Sequence, residues 1–250
     1  MKFQVITADF PWNFNDSLTM SDTARGASSN YNTMSNSDLL NLKIKEIADP
    51  EGCVLALWVP SSLLSIGLQC LESYGFEHKQ TYIWVKTKKE PLNLISKIKN
   101  ITKNDILNFK IKDILAFGMG RLFRQTHEIC LIGINNKKIY KKLKNKSQRS
   151  VSFATNLKHS AKPDDLQDSL ELMFPSTEEY KINYLELFAR RNKKNWVCVG
   201  NQASLSLDED INDSLKKLEK LTDKEYEVLQ YQLDNDEETL YSKFWRKYII

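Results

Sequence analysis

The sequence predicts an α/β protein with a mainly parallel sheet, on three observations. Short β-branched or aromatic runs recur along the chain, several of them apolar throughout, as strands covered on both faces require. Helical patterns lie between those runs, and that alternation builds parallel sheets. A length of 250 residues with 41% hydrophobic content suits one domain with room for an appendage.

In chain order, the predicted strands are 3–8, 53–59, 80–86, 128–134, 184–189 and 196–199. The predicted helices are 37–48, 61–74 and 163–174. Ser35 and Ser37 are candidate caps for the first, and Pro163 followed by Asp164 and Asp165 reads as the start of the third. Ligands of such sheets gather at the carboxyl ends of strands, where Asp9, Lys86 and the residues after Phe188 fall. Two basic segments interrupt the pattern. Residues 87–115 are lysine-rich, with helical periodicity around Leu92, Ile95 and Ile98 and again at Ile106 and Phe109. Residues 135–149 carry seven Lys or Arg and no acid. From Ser204 onward Leu215, Leu218, Leu221, Tyr226, Leu229, Leu233, Leu240 and Phe244 recur at roughly helical spacing. The expected division is a body, 1–203, with an insertion at 87–115, and an acidic helical tail, 204–250.

The net charge of +4 conceals an asymmetry. The tail holds 12 acids against 7 bases, so the body carries about +9. A basic body suits a polyanionic partner, because neutralising phosphates releases counterions. Cys53, Cys70, Cys130 and Cys198 lie singly in apolar runs, which predicts reduced, buried thiols and a cytoplasmic protein. The 3 histidines lack ligand spacing, so no metal site is expected. No apolar run is long enough for a bilayer and the N-terminus lacks a signal pattern, so no membrane partner is expected.

The chemistry is densest at Ile6-Thr7-Ala8-Asp9-Phe10-Pro11-Trp12, a strand running into an acid, a proline and a tryptophan. A carboxylate at a strand end can accept one hydrogen of an exocyclic amine. The carbonyl of Phe10, aimed by the extended geometry that Pro11 imposes, can accept the other. Trp12 can stack on the base. This is the combination for placing a methyl group on the amine of adenine.

Other segments follow in order: Arg25-Gly26-Ala27, Tyr31-Asn32-Thr33-Met34, Leu57-Trp58-Val59, Trp84-Val85-Lys86 and His127-Glu128. Then come His159-Ser160-Ala161-Lys162-Pro163-Asp164, Leu185-Glu186-Leu187-Phe188-Ala189-Arg190 and Gly200-Asn201-Gln202. With these, the sequence resembles the S-adenosylmethionine-dependent adenine-N6 methyltransferases with an Asp-Pro-Pro-Trp motif, over residues 3–203 and in their prokaryotic and phage branch. That family includes the catalytic subunit of the mRNA adenosine methyltransferase. The resemblance implies a Rossmann-like fold with the catalytic motif ahead of the cofactor motif, and S-adenosylmethionine as cofactor. It implies that Asp9, Phe10, Pro11 and Trp12 form the base-amine site, Asp9 also bordering the cofactor, and that Tyr31 belongs to a substrate loop. Lys162 would hold the cofactor carboxylate and Glu186 the ribose hydroxyls. Phe188, Arg190, Asn192, Asn201 and Gln202 would surround the ribose and adenine. Phe10 departs from the family's usual proline. The carbonyl survives that change, but a fixed φ is lost.

The basic segments, with Lys86 and Arg149 as candidate substrate contacts, are expected to flank the substrate side of the sheet. DNA is the expected substrate, because the compact chain carries no RNA-binding module such as paired zinc fingers and Arg25-Gly26-Ala27 looks prokaryotic. RNA adenosine methylation uses the same chemistry, and a non-catalytic subunit presenting nucleic acid is the alternative of another class. The tail could dock on its own body, form a homodimer or recruit a methyltransferase-like partner.

Overall fold

The computed structural model describes residues 1–13, 33–88, 114–118, 120, 122–155, 162–203 and 205–229. Among the described residues seven strands form one sheet: β1 (Val5–Asp9), β2 (Val54–Val59), β3 (Glu77–Thr87), β4 (His127–Ile134), β5 (Val151–Thr155), β6 (Tyr184–Leu187) and β7 (Trp196–Val199). Their order is β5-β3-β4-β2-β1-β6-β7. β1 pairs in parallel with β2 and β6, β6 with β7, and β3 with β5. β4 runs antiparallel to both β2 and β3. The expected Rossmann-like, mainly parallel sheet flanked by helices is therefore present.

β1, β2, β6 and β7 are mostly apolar because both faces are covered, and every position of β2 and β7 is buried. Ile6, Ala8, Leu55, Leu57, Leu185, Leu187 and Val197 face one layer. That layer contains helices α1 (Asn36–Leu40), α2 (Ile44–Ile47) and α3 (Leu64–Ser73). Val5, Val54, Ala56, Trp58, Tyr184 and Trp196 face the other, beneath α4 (Asp165–Met173) with its buried Leu166 and Leu170.

The helix expected over 37–48 is two short helices. Leu39, Leu42, Ile44 and Ile47 are all buried, and a continuous helix would point Leu42 and Ile44 to different sides. A break at Asn41, whose Nδ2 donates to Ser37 O at 2.9 Å, lets all four reach the core. Ser35 is the cap, its Oγ accepting from Asp38 N at 3.1 Å. The helix expected over 61–74 opens with a tight turn at Ser61–Leu63 and ends at Gly75, which has the positive φ of a helix terminator. β5 was not expected; its short run mixes exposed and buried positions. The helical readings inside 89–113 and beyond residue 229 lie outside the described residues.

The segment 135–149 is not on the substrate side. It follows β4, the reversed strand, and so leaves the sheet at the edge opposite the carboxyl ends of β1 and β2. Its lysines are used there in ion pairs: Lys138 with Glu51 at 2.6 Å, Lys142 with Asp49 at 3.1 Å and Lys144 with Glu179 at 3.2 Å.

The first part of the acidic segment packs on the body. Helices α5 (Ile211–Glu219) and α6 (Asp223–Leu229) bury Leu215, Leu218 and Tyr226 in the same cluster as Phe3, Ile44 and Ile47. Tyr226 Oη accepts from Tyr184 N at 2.9 Å, and Lys2 Nζ lies 2.7 Å from Glu219. All four cysteines are buried and unpaired. Among the described residues no helix is long and apolar enough to cross a membrane.

Candidate active site

Asp9 closes β1 beside Trp58 of β2, at the carboxyl edge of the sheet. A cleft of about 1350 Å³ opens there, lined by Asp9, Phe10, Pro11 and Trp12, by Lys86, Glu128 and Lys162, and by Phe188, Arg190, Asn201 and Gln202. Four of its charges form one chain of alternating sign. Lys162 Nζ lies 2.6 Å from Asp9 Oδ2 and 3.2 Å from Glu128 Oε2, and Lys86 Nζ lies 2.5 Å from Glu128 Oε1. Burial raises the Asp9 pKa above the ordinary carboxylate range, and Lys162 opposes that rise without cancelling it. Burial disfavours charge on Lys162 too, but Asp9 and Glu128 outweigh it and hold the ammonium protonated. For Glu128, burial is outweighed by its two lysines, so its pKa is lowered.

The turn after Asp9 is set by main-chain bonds. Phe10 O accepts from Trp12 N at 2.9 Å, and Pro11 O accepts from Met34 N at 2.9 Å. The Phe10 carbonyl keeps its second lone pair for another donor. The Phe10 ring is 3% exposed and packs edge-on against Phe188 at 5.3 Å and Tyr74 at 6.2 Å. Packing thus holds the turn where a second proline would have fixed φ. Phe188 has a φ of 62°, an uncommon conformation for a non-glycine residue. Trp12 is 4% exposed, donates Nε1 to Trp58 O at 3.0 Å and packs on Phe10 at 5.5 Å. Most of its ring faces protein, so the structure offers little of it for stacking.

Other expected residues divide. Asn201 and Gln202 reach the cleft beyond β7, where a Cβ on Gly200 would come within 2.0 Å of Ala189 O. That close approach holds the loops after β6 and β7 together. Glu186 and Asn192 are not among the lining residues. Glu186 accepts from Gln167 Nε2 of α4 at 3.0 Å, and burial raises its pKa. Arg149 is exposed at the amino end of β5, remote from the cleft for the same reason as the lysines before it: β5 starts at the opposite edge. Tyr31 lies outside the described residues.

Sequence reasoning gave no role to Glu128, the bridge between the two lysines. Its signal was an acid opening an otherwise apolar strand. It also missed Asp208, Glu209 and Asp210, which line the cleft from the segment before α5.

An acid and a turn at the end of β1, paired with a buried cation in a cleft at the sheet's carboxyl edge, sit on a Rossmann-like α/β fold. The chain belongs to the MT-A70 family, whose profile matches residues 3–202. It is 27% identical over 204 residues to a probable N(6)-adenosine-methyltransferase MT-A70-like protein of Oryza sativa subsp. japonica, covering 80% of this chain and 23% of that one. The N(6)-adenosine-methyltransferase catalytic subunit METTL3 of Homo sapiens is 26% identical over 204 residues, covering 80% of this chain and 28% of the relative. The N6-adenosine-methyltransferase non-catalytic subunit MTB of Arabidopsis thaliana is 38% identical over 89 residues, 35% of this chain and 11% of the relative. The chain spans about a quarter of the length of the full-domain relatives it matches.

MT-A70 methyltransferases use S-adenosylmethionine. The donor set here suits that group. A cation and an anion 2.6 Å apart match an amino-acid zwitterion, and the Phe188 ring with the Asn201 and Gln202 amides matches a nucleoside.

Proposed function

We propose that this chain transfers a methyl group from S-adenosylmethionine to the N6 amine of adenine in nucleic acid. The observation that carries the reading is Asp9, kept beside a protonated Lys162 at the end of β1 and next to a Phe10 carbonyl with a free lone pair. S-adenosylmethionine, when bound, supplies an electrophilic sulfonium methyl. Lys162, Phe188, Arg190, Asn201 and Gln202 hold it on the β6–β7 side of the cleft, with Glu186 and Asn192 behind them. Asp9 and the Phe10 carbonyl each accept one hydrogen of the adenine amine. Its nitrogen then becomes pyramidal, and the lone pair, otherwise delocalised into the ring, would form the bond to the methyl carbon as the S–C bond breaks, leaving a neutral thioether. The methylated nitrogen would then give up one proton to Asp9. Positioning and fixed charge supply the rate, without a covalent enzyme intermediate.

The prokaryotic look of Arg25-Gly26-Ala27 favours DNA as the substrate. The relatives' names specify adenosine, the ribonucleoside, which favours RNA. Transfer of label from S-adenosylmethionine to matched single-stranded DNA, duplex DNA and RNA, with N6-methyladenine quantified by mass spectrometry, separates the two. The relation to MTB supports a second reading, a subunit that presents nucleic acid to an active partner. Failure of S-adenosylmethionine to raise the melting temperature, with no product on any substrate, would establish that reading and sink the first.

A further inference from the structure

The loop that carries Phe117, Gly118, Gly120 and residues 122–125 has both its feet on one residue. Lys86 O accepts from Ala116 N at 2.8 Å, and Lys86 N donates to Thr126 O at 2.8 Å. Because Lys86 Nζ lies 2.5 Å from Glu128, the base of the loop is tied to the charged chain that ends at Asp9. One side of the loop lines the cleft through Gly120 and Gln125. Gln125 Nε2 fastens it there, donating to His127 O at 2.7 Å and Ser61 Oγ at 3.2 Å. The loop also presents Phe117, Leu122 and Phe123 to solvent, at 74%, 93% and 87% exposure. Glycine is required for this fold: a Cβ on Gly118 would meet Gln125 O at 2.1 Å, and one on Gly120 would meet Phe123 O at 2.0 Å. The Arg124 guanidinium lies over the Phe117 ring at 4.4 Å, and Lys88 is exposed at the loop's foot.

Large apolar side chains grouped on one exposed loop mark an interaction site. We propose that this loop is a wedge for duplex nucleic acid, with Leu122 and Phe123 entering the base stack next to the target adenine while that base occupies the cleft. The proposal rests on the adenine-methyltransferase reading above. Removing a base from a duplex leaves a gap whose cost is unstacking, and apolar side chains placed between base steps offset it. The loop that displays these side chains also lines the cleft, through Gly120 and Gln125. Arg124 and Lys88 put positive charge beside the apolar tip, as a phosphate backbone requires and an apolar protein partner does not.

The test uses the full chain and a Leu122→Ser/Phe123→Ser variant, whose exposed positions leave the core intact; an unchanged melting temperature verifies this. Methyl transfer is measured on one adenine target in single-stranded and duplex form, as DNA and as RNA. Flipping is read separately from 2-aminopurine fluorescence at the target position of each duplex. The expected result is a fall of about 10-fold or more in kcat/KM on duplex, little change on single strands, and loss of the fluorescence rise. Equal loss on both forms, or an unchanged duplex rate, would overturn the wedge. So would a variant that keeps the duplex-to-single-strand ratio but loses an oligomer in light scattering, which would assign the loop to a protein partner. If the wild-type chain methylates nothing, the functional reading fails. Fluorescence then decides the wedge separately: a rise that needs Leu122 and Phe123 sustains it, and no rise ends it.

Discussion

Lys162 Nζ stands 2.6 Å from Asp9 Oδ2, at the point where burial works hardest against a carboxylate. The lysine opposes the burial that pushes the proton affinity of this acid up at the end of an apolar strand. Lys162 is in turn shared with Glu128 at 3.2 Å, so its charge is held by two anions from different strands. In the proposed reaction a methyl acceptor with two amine hydrogens needs acceptors rather than a strong base, and Asp9 beside Lys162 would provide one.

Replacing Asp9 with Asn keeps the shape and removes the charge. Turnover is expected to fall about 100-fold or more, the scale for removing one electrostatic contact made to the reacting group. Affinity for S-adenosylmethionine, measured by calorimetry, is expected to change less than about 3-fold. Equal losses of binding and rate would assign Asp9 to the cofactor or the fold instead.

The pH profile carries a signed expectation. In the proposed reaction an ionised Asp9 accepts the amine hydrogen, and its pKa is raised, chiefly by burial, so the acid limb of kcat is expected above the usual carboxylate value of about 4. Lys162→Gln removes the cation that opposes burial, so the limb moves to still higher pH. The same variant is expected to weaken S-adenosylmethionine binding by about 10-fold, the scale of a lost charge-assisted hydrogen bond. Single-turnover rates from pH 5 to 9 read the limb. A limb that Lys162→Gln leaves in place would mean that Asp9 is not the titrating group.

Asp9, the turn after it and Lys86 were legible in the sequence because they end apolar runs, and ends of parallel strands converge on one edge. The destination of 135–149 was not legible. Its lysine content is that of a nucleic-acid contact, and its place depends on the direction of β4, which an apolar run does not reveal. The same reversal brings Glu128, at the start of β4, to the cleft while sending Lys138 and Lys142 to the far edge. Trp12 misled in another way. Its residue type suits stacking on a base, whereas the bond from its Nε1 to Trp58 O makes it a wall.

Asp165, in the first turn of α4, has its pKa raised to about 6 by burial, with Asp164 and Asp168 adding to the rise. An acid that binds its proton more tightly in the folded state stabilises fully below its unfolded pKa, near 4, and that contribution is lost as pH rises through about 6. Asp165→Asn has no such loss. Its melting temperature relative to the wild type is therefore expected to rise between pH 4 and 7, by an amount worth roughly 1–2 kcal/mol once partial solvent screening is allowed for. A difference that stays flat with pH would show that Asp165 titrates normally. A difference that turns negative would show that its charge supports the helix end more than burial opposes it.

The acidic segment after residue 203 reads as an appendage by composition, yet its first two helices are embedded in the core. Leu218 is 4% exposed among Phe3, Ile44 and Ile47, and Leu218→Ala is expected to cost about 2–4 kcal/mol in denaturant unfolding. Tyr226 is 1% exposed, and its hydroxyl takes the Tyr184 N–H at the start of β6. Tyr226→Phe leaves that buried donor without this acceptor, at a cost of about 1–3 kcal/mol. We infer that a chain ending at residue 203 loses cooperative unfolding, since removing both helices uncovers one whole side of the cluster beneath α2 and β6. The loss reaches the site as well, because Asp208, Glu209 and Asp210 line the cleft from the segment that these helices anchor. Calorimetric unfolding of residues 1–203 beside the full chain decides the matter. A sharp transition at an unchanged temperature would show that the body folds alone and that the helices only rest on it.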